Sequence, residues 1–193
     1  MGKRIAILGL YSSGSTAIAG VVHHMGINLG EPLWCHYEST WITNRLREWW
    51  HEPDLFSSTP FSVRVHLLTS WITEVERKNP NCIIGAKHPL LILSGLDIMK
   101  AWGEQTKFIW SFRPLNESIS SLVRRKWWPG KEITMQTKLW HVLMQFLSNR
   151  NHLCIDFSSL KQNPESQVQK IIKFLEISPT KDQQTNAVKS IRR

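Results

Sequence analysis

The chain has 193 residues, of which 41% are hydrophobic and 20% charged, as is typical of a soluble globular protein, and this length predicts one domain, 1–193. Its net charge of +9 admits nucleic acid, anionic lipid or a phosphorylated or sulfated small molecule as a partner, although a solvated basic surface is an equally good interpretation. The three cysteines argue against a disulfide framework or a CxxC metal site, because they are odd in number and far apart.

Two further observations bear on partners and location. The basic residues are densest at Arg124-Arg125-Lys126 and Arg192-Arg193, and no nucleic-acid-binding motif accompanies them, so no specific nucleic acid is predicted. No apolar run is long enough to span a bilayer, the first strand begins too early for a signal peptide, and Met1-Gly2 lacks the hydroxyl residue of a myristoylation site. We therefore expect no membrane partner and a cytoplasmic location with reduced thiols.

Apolar runs and helical periodicity alternate along the chain. Segment 31–79 is mostly helical in pattern, holds five of the ten tryptophans, and is predicted to be an insertion over one edge of a sheet, where the indoles serve a pocket or the core. The alternation predicts a three-layer α/β/α fold with a mainly parallel sheet. Strands are predicted at 3–8, 82–86, 108–112 and 152–157, and helices at 15–26, 91–102, 115–127, 133–150 and 164–176.

The first strand leads into a glycine loop, Gly9–Thr16, that keeps the spacing of the phosphate loop G-x-x-x-x-G-K-[ST]. Ser15 stands where an ATPase or kinase carries the lysine that reaches the β- and γ-phosphates. Backbone N–H groups and the helix dipole still favour an anion there. The loop therefore predicts a P-loop NTPase-like fold and a phosphorylated ligand other than a simple nucleoside triphosphate.

Polar residues also follow the second and third predicted strands, at the sheet edge where ligands of such folds bind. Lys87 and His88 follow the second. Arg113 follows the third, and Ser121 comes eight residues later, two turns into a helix, so that both side chains can reach one anion. Taken alone, Arg113 is explained better by a salt bridge and the serines by a solvated helix face. Their position at the same sheet edge as the glycine loop favours an anion site instead.

Five segments resemble, in order, those of a known family: Gly9–Thr16 with His24–Gly30, Tyr37-Glu38 with Asn44, Gly85–Pro89, Phe112–Leu122, and Asp156–Leu160 with Asn163–Glu165 and Phe174-Leu175. The family is that of the sulfotransferases that use 3′-phosphoadenosine 5′-phosphosulfate (PAPS), in particular its compact bacterial and phage-type members. The resemblance covers most of the chain. It implies transfer of a sulfuryl group from PAPS to a hydroxyl or amine of a small molecule or glycan, with no metal.

The resemblance also implies a role for each matching residue. The loop residues Ser12, Ser13, Gly14, Ser15 and Thr16 are expected at the 5′-phosphosulfate of the donor. Arg113 and Ser121 are expected to bind the 3′-phosphate, since the planar guanidinium forms bidentate contacts with phosphate. Lys87 is expected to stabilise negative charge in the transition state. Glu38, and after it His88, are the candidate general bases.

The sequence departs from the family at Ser12, where lysine or arginine is usual. Loss of such a donor costs about 2.7–4 kcal/mol of transition-state stabilisation, judged from deletions in oxyanion holes. Lys87, Lys3, Arg124 or Arg125 can supply the missing charge, or the protein binds the nucleotide without efficient turnover. Arg192-Arg193 is a candidate replacement for the basic 3′-phosphate segment of larger relatives.

Overall fold

The computed structural model describes residues 3–191. The predictions made for Met1-Gly2 and for Arg192-Arg193 lie outside the described residues. Within the described chain, the order of elements is the predicted alternation of strands and helices.

The central sheet has four parallel strands in the described part of the chain, in the order β2-β1-β3-β4. Every residue of β1 and β2 is buried, as expected where helices cover both faces of a parallel sheet. The predicted α/β fold with a parallel sheet is confirmed. The strands are β1 (Arg4–Leu8), β2 (Ile84–Lys87), β3 (Lys107–Phe112) and β4 (His152–Asp156).

Helices connect and cover the strands. They are α1 (Ser15–His24), α2 (Thr40–Trp49), α3 (Phe61–Lys78), α4 (Gly95–Trp102), α5 (Leu115–Arg125), α6 (Glu132–Leu147), α7 (Phe157–Gln162), α8 (Pro164–Leu175) and α9 (Lys181–Ile191), with a 3₁₀ turn at Pro89–Ile92. Two differ most from prediction, because neither α7 nor α9 was expected. Phe157, placed in the fourth strand by the sequence, instead begins α7, since the Asp156 carboxylate caps that helix by accepting from the Ser159 N–H at 2.7 Å.

Two apolar cores lie on opposite faces of the sheet. One contains Leu46, Ile72 and Leu139 of α2, α3 and α6, and the other contains Val22 and Ile171 of α1 and α8. Most indoles of segment 31–79 belong to the first core, where Trp71 stacks between Trp41 and Trp102. Trp34 is the exception and is 39% exposed.

Segment 31–79 is joined to the rest of the chain by polar contacts as well. The Arg64 guanidinium of α3 donates to both carboxylate oxygens of buried Asp97 in α4, at 2.9 and 3.1 Å. The Trp50 indole donates to the Ser94 hydroxyl at 2.9 Å. That this segment is an insertion within a single domain remains a prediction.

No helix between residues 3 and 191 is both long and apolar enough to cross a membrane. Cys35, Cys82 and Cys154 are free thiols. The cytoplasmic location remains a prediction.

Candidate active site

A cavity of about 970 Å³ opens at the carboxyl ends of β1, β2 and β3. The structure brings nearly all the predicted site residues to its wall, which is lined by Ser12, Gly14, Ser15, Thr16, Glu38, Lys87, His88, Arg113 and Ser121, with further side chains described below. Ser13 lies behind the wall and is buried. This position follows from the topology, because the chain passes from β2 across β1 to β3 and leaves a crevice at the reversal.

One position in the glycine loop can be occupied without strain only by glycine. Gly14 has a φ of +91°, and a Cβ on it would lie 2.1 Å from Cδ2 of Phe157. The loop backbone therefore packs directly against the ring at the start of α7. This contact holds the N-terminus of α1 at the cavity wall.

The same loop presents polar groups without partners. No side chain caps α1, and the Ala17 N–H donates to the Gly14 carbonyl at 2.9 Å, whereas the N–H groups of Ser15 and Thr16 have no partner among residues 3–191. The hydroxyls of Ser12 and Ser13 are buried and have no hydrogen-bond partner among residues 3–191. Because buried polar groups are normally paired, an anion with several oxygens fits this loop.

Lys87, the last residue of β2, joins the loop to segment 31–79. Its ammonium donates to Glu38 Oε1 at 2.6 Å and to Thr16 Oγ1 at 3.2 Å. Burial lowers the pKa of Lys87, and the Glu38 carboxylate partly opposes this shift. Consecutive residues of a strand would point apart, but the turn that begins at Pro89 redirects His88, whose Nε2 lies 3.9 Å from Glu38 Oε2.

The protonation state of His88 follows from its hydrogen bonds. Its Nδ1 accepts from the Leu90 N–H at 3.1 Å, so in the neutral imidazole Nε2 carries the proton. Burial, together with the charges of Lys87 and Arg47, holds the pKa of His88 well below its ordinary value of 6.5. The imidazole is therefore neutral near pH 7 and presents a donor towards Glu38.

Arg113 lies between the glycine loop and α5. One terminal nitrogen donates to the Ser12 carbonyl at 3.0 Å, Nε donates to Glu117 at 3.0 Å, and the guanidinium lies 5.6 Å from the ring centre of Phe157. Ser121 lines the same cavity from α5, so the predicted pair does converge. The salt bridge considered as the simpler explanation is also present, with Glu117 48% exposed.

The comparisons with known proteins agree on the architecture. No family model matches this sequence, and no curated protein does either. Among solved structures, the sulfotransferase domain of the Synechococcus PCC 7002 olefin synthase matches with a TM-score of 0.60 and 14% identity, over 94% of this chain and 76% of that chain. The mouse sulfotransferase SULT7A1 complexed with PAP matches with a TM-score of 0.54 and 14% identity, over 98% and 64%.

This chain has the sulfotransferase fold. A sugar kinase from Janibacter sp. HTCC2649 is also similar, with a TM-score of 0.55 and 15% identity over 93% of this chain and 97% of that chain. The fold of this chain is thus similar both to sulfotransferases and to a sugar kinase. At these identities the likeness establishes the fold, and the chemistry must be argued from the residues.

The sequence offered several cations that could replace the lysine or arginine missing at position 12, and the structure shows which of them line the cavity. Lys87, Arg124 and Arg125 line the cavity, and Lys161 of α7 does so too. Lys3 does not, because its ammonium donates to the carbonyls of Leu175 and Glu176 at 3.2 and 2.9 Å. Lys3 is therefore not a replacement for the missing cation.

Sequence reasoning missed several residues at the cavity, and three of them, Tyr11, Arg47 and Trp127, bear on its chemistry. The Tyr11 hydroxyl donates to Glu52, and burial with the nearby Glu52 charge raises the pKa of Tyr11 well above its ordinary value. Burial likewise raises the pKa of Glu52. Tyr11 lies within the glycine loop and was available as a candidate, whereas Arg47 belongs to an exposed helix face with no distinguishing motif.

Proposed function

We propose that this chain transfers a sulfuryl group from PAPS to a hydroxyl or amine of an acceptor. One observation carries the proposal: Lys87 bridges Thr16 of the glycine loop and buried Glu38, in the cavity that Arg113 and Ser121 also line. The phosphate loop, a cation and a candidate base are thereby brought within contact of one another. The fold supports this activity, because the mouse sulfotransferase SULT7A1, which has a similar fold, forms a complex with PAP.

The donor-binding residues divide by position. The N–H groups of Ser15 and Thr16 at the start of α1 and the unpartnered hydroxyl of Ser12, which lines the cavity, suit the 5′-phosphosulfate. The Ser13 hydroxyl lies behind the wall, and we do not assign it to the donor. Arg113 and Ser121 suit the 3′-phosphate, which distinguishes PAPS from ATP. The guanidinium of Arg113 already contacts the loop through the Ser12 carbonyl, so a single residue contacts the loop and reaches the 3′-phosphate position.

The transfer breaks the bond between sulfur and the bridging oxygen and forms a bond between sulfur and the acceptor oxygen or nitrogen. The electron pair of the broken bond remains on the leaving phosphate of adenosine 3′,5′-bisphosphate. Lys87 stabilises negative charge that develops on these oxygens, because its ammonium is buried and already oriented by Thr16 and Glu38.

The acceptor proton passes to a general base, for which the contacts favour Glu38 over His88. Both are buried at the cavity wall. In the neutral imidazole of His88, Nδ1 already accepts a hydrogen bond from the Leu90 N–H and Nε2 carries the proton. His88 therefore has no nitrogen left to accept the acceptor's proton. We assign His88 the role of holding Glu38 in place with Lys87.

A second candidate function is binding of the nucleotide without efficient transfer. Ser12 favours it, since the residue lines the cavity but supplies no positive charge. Arg124 and Arg125 are the nearby cations that can compensate. The two functions share the donor site and differ only in turnover.

Calorimetric titration of the purified protein tests the donor site. Adenosine 3′,5′-bisphosphate should bind at least tenfold more tightly than adenosine 5′-monophosphate or ATP, since a charged hydrogen bond of about 1.5–3 kcal/mol is made only to the 3′-phosphate. Transfer of labelled sulfate from PAPS to a panel of phenols, amines and sugars then separates catalysis from binding. Tighter binding of ATP, with ATP hydrolysis, would replace the proposal with a kinase-like function.

A further inference from the structure

Arg47 lies on α2 with its guanidinium exposed at the cavity wall. Its central carbon is 5.0 Å from the centre of the Trp34 ring, which is itself partly exposed. Stacking on an indole orients the guanidinium plane and uses only its face. The N–H donors at the edge of the plane remain available to a ligand.

The surroundings of Arg47 differ from those of the donor-site arginine. Its charge adds to the lowering of the His88 pKa and partly opposes the upward shifts of the Tyr11 and Glu52 pKa values. Arg113, in contrast, contacts the Ser12 carbonyl of the glycine loop. Arg47 lines the cavity from α2, which begins two residues after Glu38, so it belongs to the same stretch of the wall as Glu38, where an acceptor must place its nucleophile.

The charge of Arg47 has no direct counterion in the described chain. No ion pair joins it to a carboxylate between residues 3 and 191: Glu38 pairs with Lys87, and Glu52 accepts from the Tyr11 hydroxyl. A further arginine, Arg125, stacks on Trp127 at 5.4 Å, and both line the same cavity. The cavity wall thus combines aromatic rings with two arginines that form no ion pair among residues 3–191.

We infer that the acceptor is an anionic molecule, a hydroxylated ring that carries a carboxylate or a phosphate or sulfate ester, and that Arg47 binds this anionic group. The inference rests on the proposed function, because it takes the region beside Glu38 as the acceptor side. The aromatic wall of Tyr11 and Trp127, whose ring centres are 6.5 Å apart, contacts the ring of the acceptor.

The test compares matched acceptors that differ in charge. One pair is 4-hydroxyphenylacetate and its methyl ester, and the other is 4-hydroxyphenyl phosphate and hydroquinone; the two pairs distinguish a carboxylate from a tetrahedral ester. Binding is measured by calorimetry with and without saturating adenosine 3′,5′-bisphosphate, which keeps the probe out of the donor phosphate site. Sulfate transfer is measured in parallel as kcat/KM.

The variants are Arg47→Gln and, as a matched control, Arg45→Gln on the same helix. Arg45 pairs with Glu48 and stacks on Trp41, away from the cavity lining. In the unmodified protein the anionic member of at least one pair should bind about ten- to a hundredfold more tightly, as expected for a charge-assisted hydrogen bond. R47Q should reduce this ratio to near one, and R45Q should leave it unchanged.

The outcomes separate the two proposals. If adenosine 3′,5′-bisphosphate does not bind but anionic phenols bind through Arg47, the proposed function fails and the anion site stands. If the nucleotide binds but charged and neutral acceptors bind equally, or none binds, the inference is overturned and the proposed function is unaffected. Weaker nucleotide binding in R47Q, with an unchanged acceptor ratio, would also overturn it by making Arg47 a donor ligand.

Discussion

The ammonium of Lys87 and the carboxylate of Glu38 form an ion pair with a distance of 2.6 Å, and their side chains are only 4% and 8% exposed. The two residues come from β2 and from the segment before α2, far apart in the chain. Each charge is removed from water and depends on the other for compensation. The pair therefore contributes to the stability of the folded site as well as to its proposed chemistry.

Removal of one partner should be strongly destabilising. Lys87→Met or Glu38→Gln alone leaves a buried charge uncompensated and should lower the free energy of unfolding by about 3–5 kcal/mol. The double variant should lose about 1–3 kcal/mol less unfolding free energy than the sum of the two single losses. Urea denaturation of all four proteins measures this coupling. The exposed pair Arg45–Glu48 is the control, and its coupling should stay below about 1 kcal/mol; additive losses at Lys87 and Glu38 would contradict the expectation.

Arg113 should control recognition of the 3′-phosphate. Arg113→Gln should weaken binding of adenosine 3′,5′-bisphosphate by about ten- to a hundredfold, because a charge-assisted contact is lost, with little change for adenosine 5′-monophosphate. Glu117→Gln should have the opposite effect and strengthen binding of adenosine 3′,5′-bisphosphate by about twofold, because it frees the Arg113 guanidinium from a surface ion pair. Calorimetry with both nucleotides measures each effect, and unchanged discrimination in R113Q would remove Arg113 from the site.

The contact between Gly14 and Phe157 should not tolerate a methyl group. Gly130 provides a control for positive φ, at +80° against +91° for Gly14, because no atom lies within 4 Å of an added Cβ there. Gly130→Ala should cost about 1–2 kcal/mol from backbone strain alone. Gly14→Ala should cost more and abolish nucleotide binding, and Phe157→Ala in the same chain should recover part of the stability. Equal losses in G14A and G130A, measured by urea denaturation, would show that the ring yields.

Stability should fall in mild acid because of His88. Its folded pKa is below 6.5, mainly because burial disfavours the charged form, so the unfolded chain binds the proton more readily. Stability is therefore retained above pH 6.5 and decreases as the pH falls from 6.5 towards the folded pKa, by up to about 1.4 kcal/mol per pH unit. His88→Asn, which keeps an acceptor for the Leu90 N–H, should flatten the dependence of Tm on pH. Exposed His66→Asn should not, and parallel profiles for H88N and the unmodified protein would contradict this assignment.

A cation restored at Ser12 should separate catalysis from binding. Ser12 lines the cavity with a φ of +61°, which an unbranched side chain tolerates better than a β-branched one. Ser12→Lys should raise the rate of sulfate transfer by tenfold or more, since one charge-assisted donor at a reaction centre contributes about 2.7–4 kcal/mol. If instead the rate is unchanged, and Arg124→Gln or Arg125→Gln lowers it, those arginines already supply the charge.

The sequence predicted the sheet and the strand ends well, because buried parallel strands are continuous apolar runs. It placed Lys87, Arg113 and the glycine loop at one edge for that reason. It missed α9, whose residues are mostly polar and bury only Ala187 and Ile191 against the rest of the chain. Helices of this kind are held by tertiary contacts, here chiefly with α1, and carry a weak periodic pattern.

The proposed acceptor side was harder to predict than the proposed donor side. The folding of segment 31–79 brings Arg47 to the cavity and Glu52 to the Tyr11 hydroxyl, and no spacing in the chain relates either residue to Tyr11. The orientation of His88 was also unpredictable, since alternation along a strand places it away from Lys87. In the structure His88 precedes the 3₁₀ turn at Pro89–Ile92, and its imidazole accepts a hydrogen bond from the Leu90 N–H of that turn. This local bond, which strand alternation does not predict, sets the orientation of the ring.

The strand order has a consequence for how such a site can change. Lys87 ends β2 and Arg113 follows β3, the strands on either side of β1, and neighbouring strands are about 4.8 Å apart, so the sheet sets a spacing of about 10 Å between the backbone positions from which the two side chains extend. A change of side chain at either position leaves that backbone spacing in place. Under the proposed function, segment 31–79 can therefore be rebuilt for new acceptors while the sheet continues to fit the same donor.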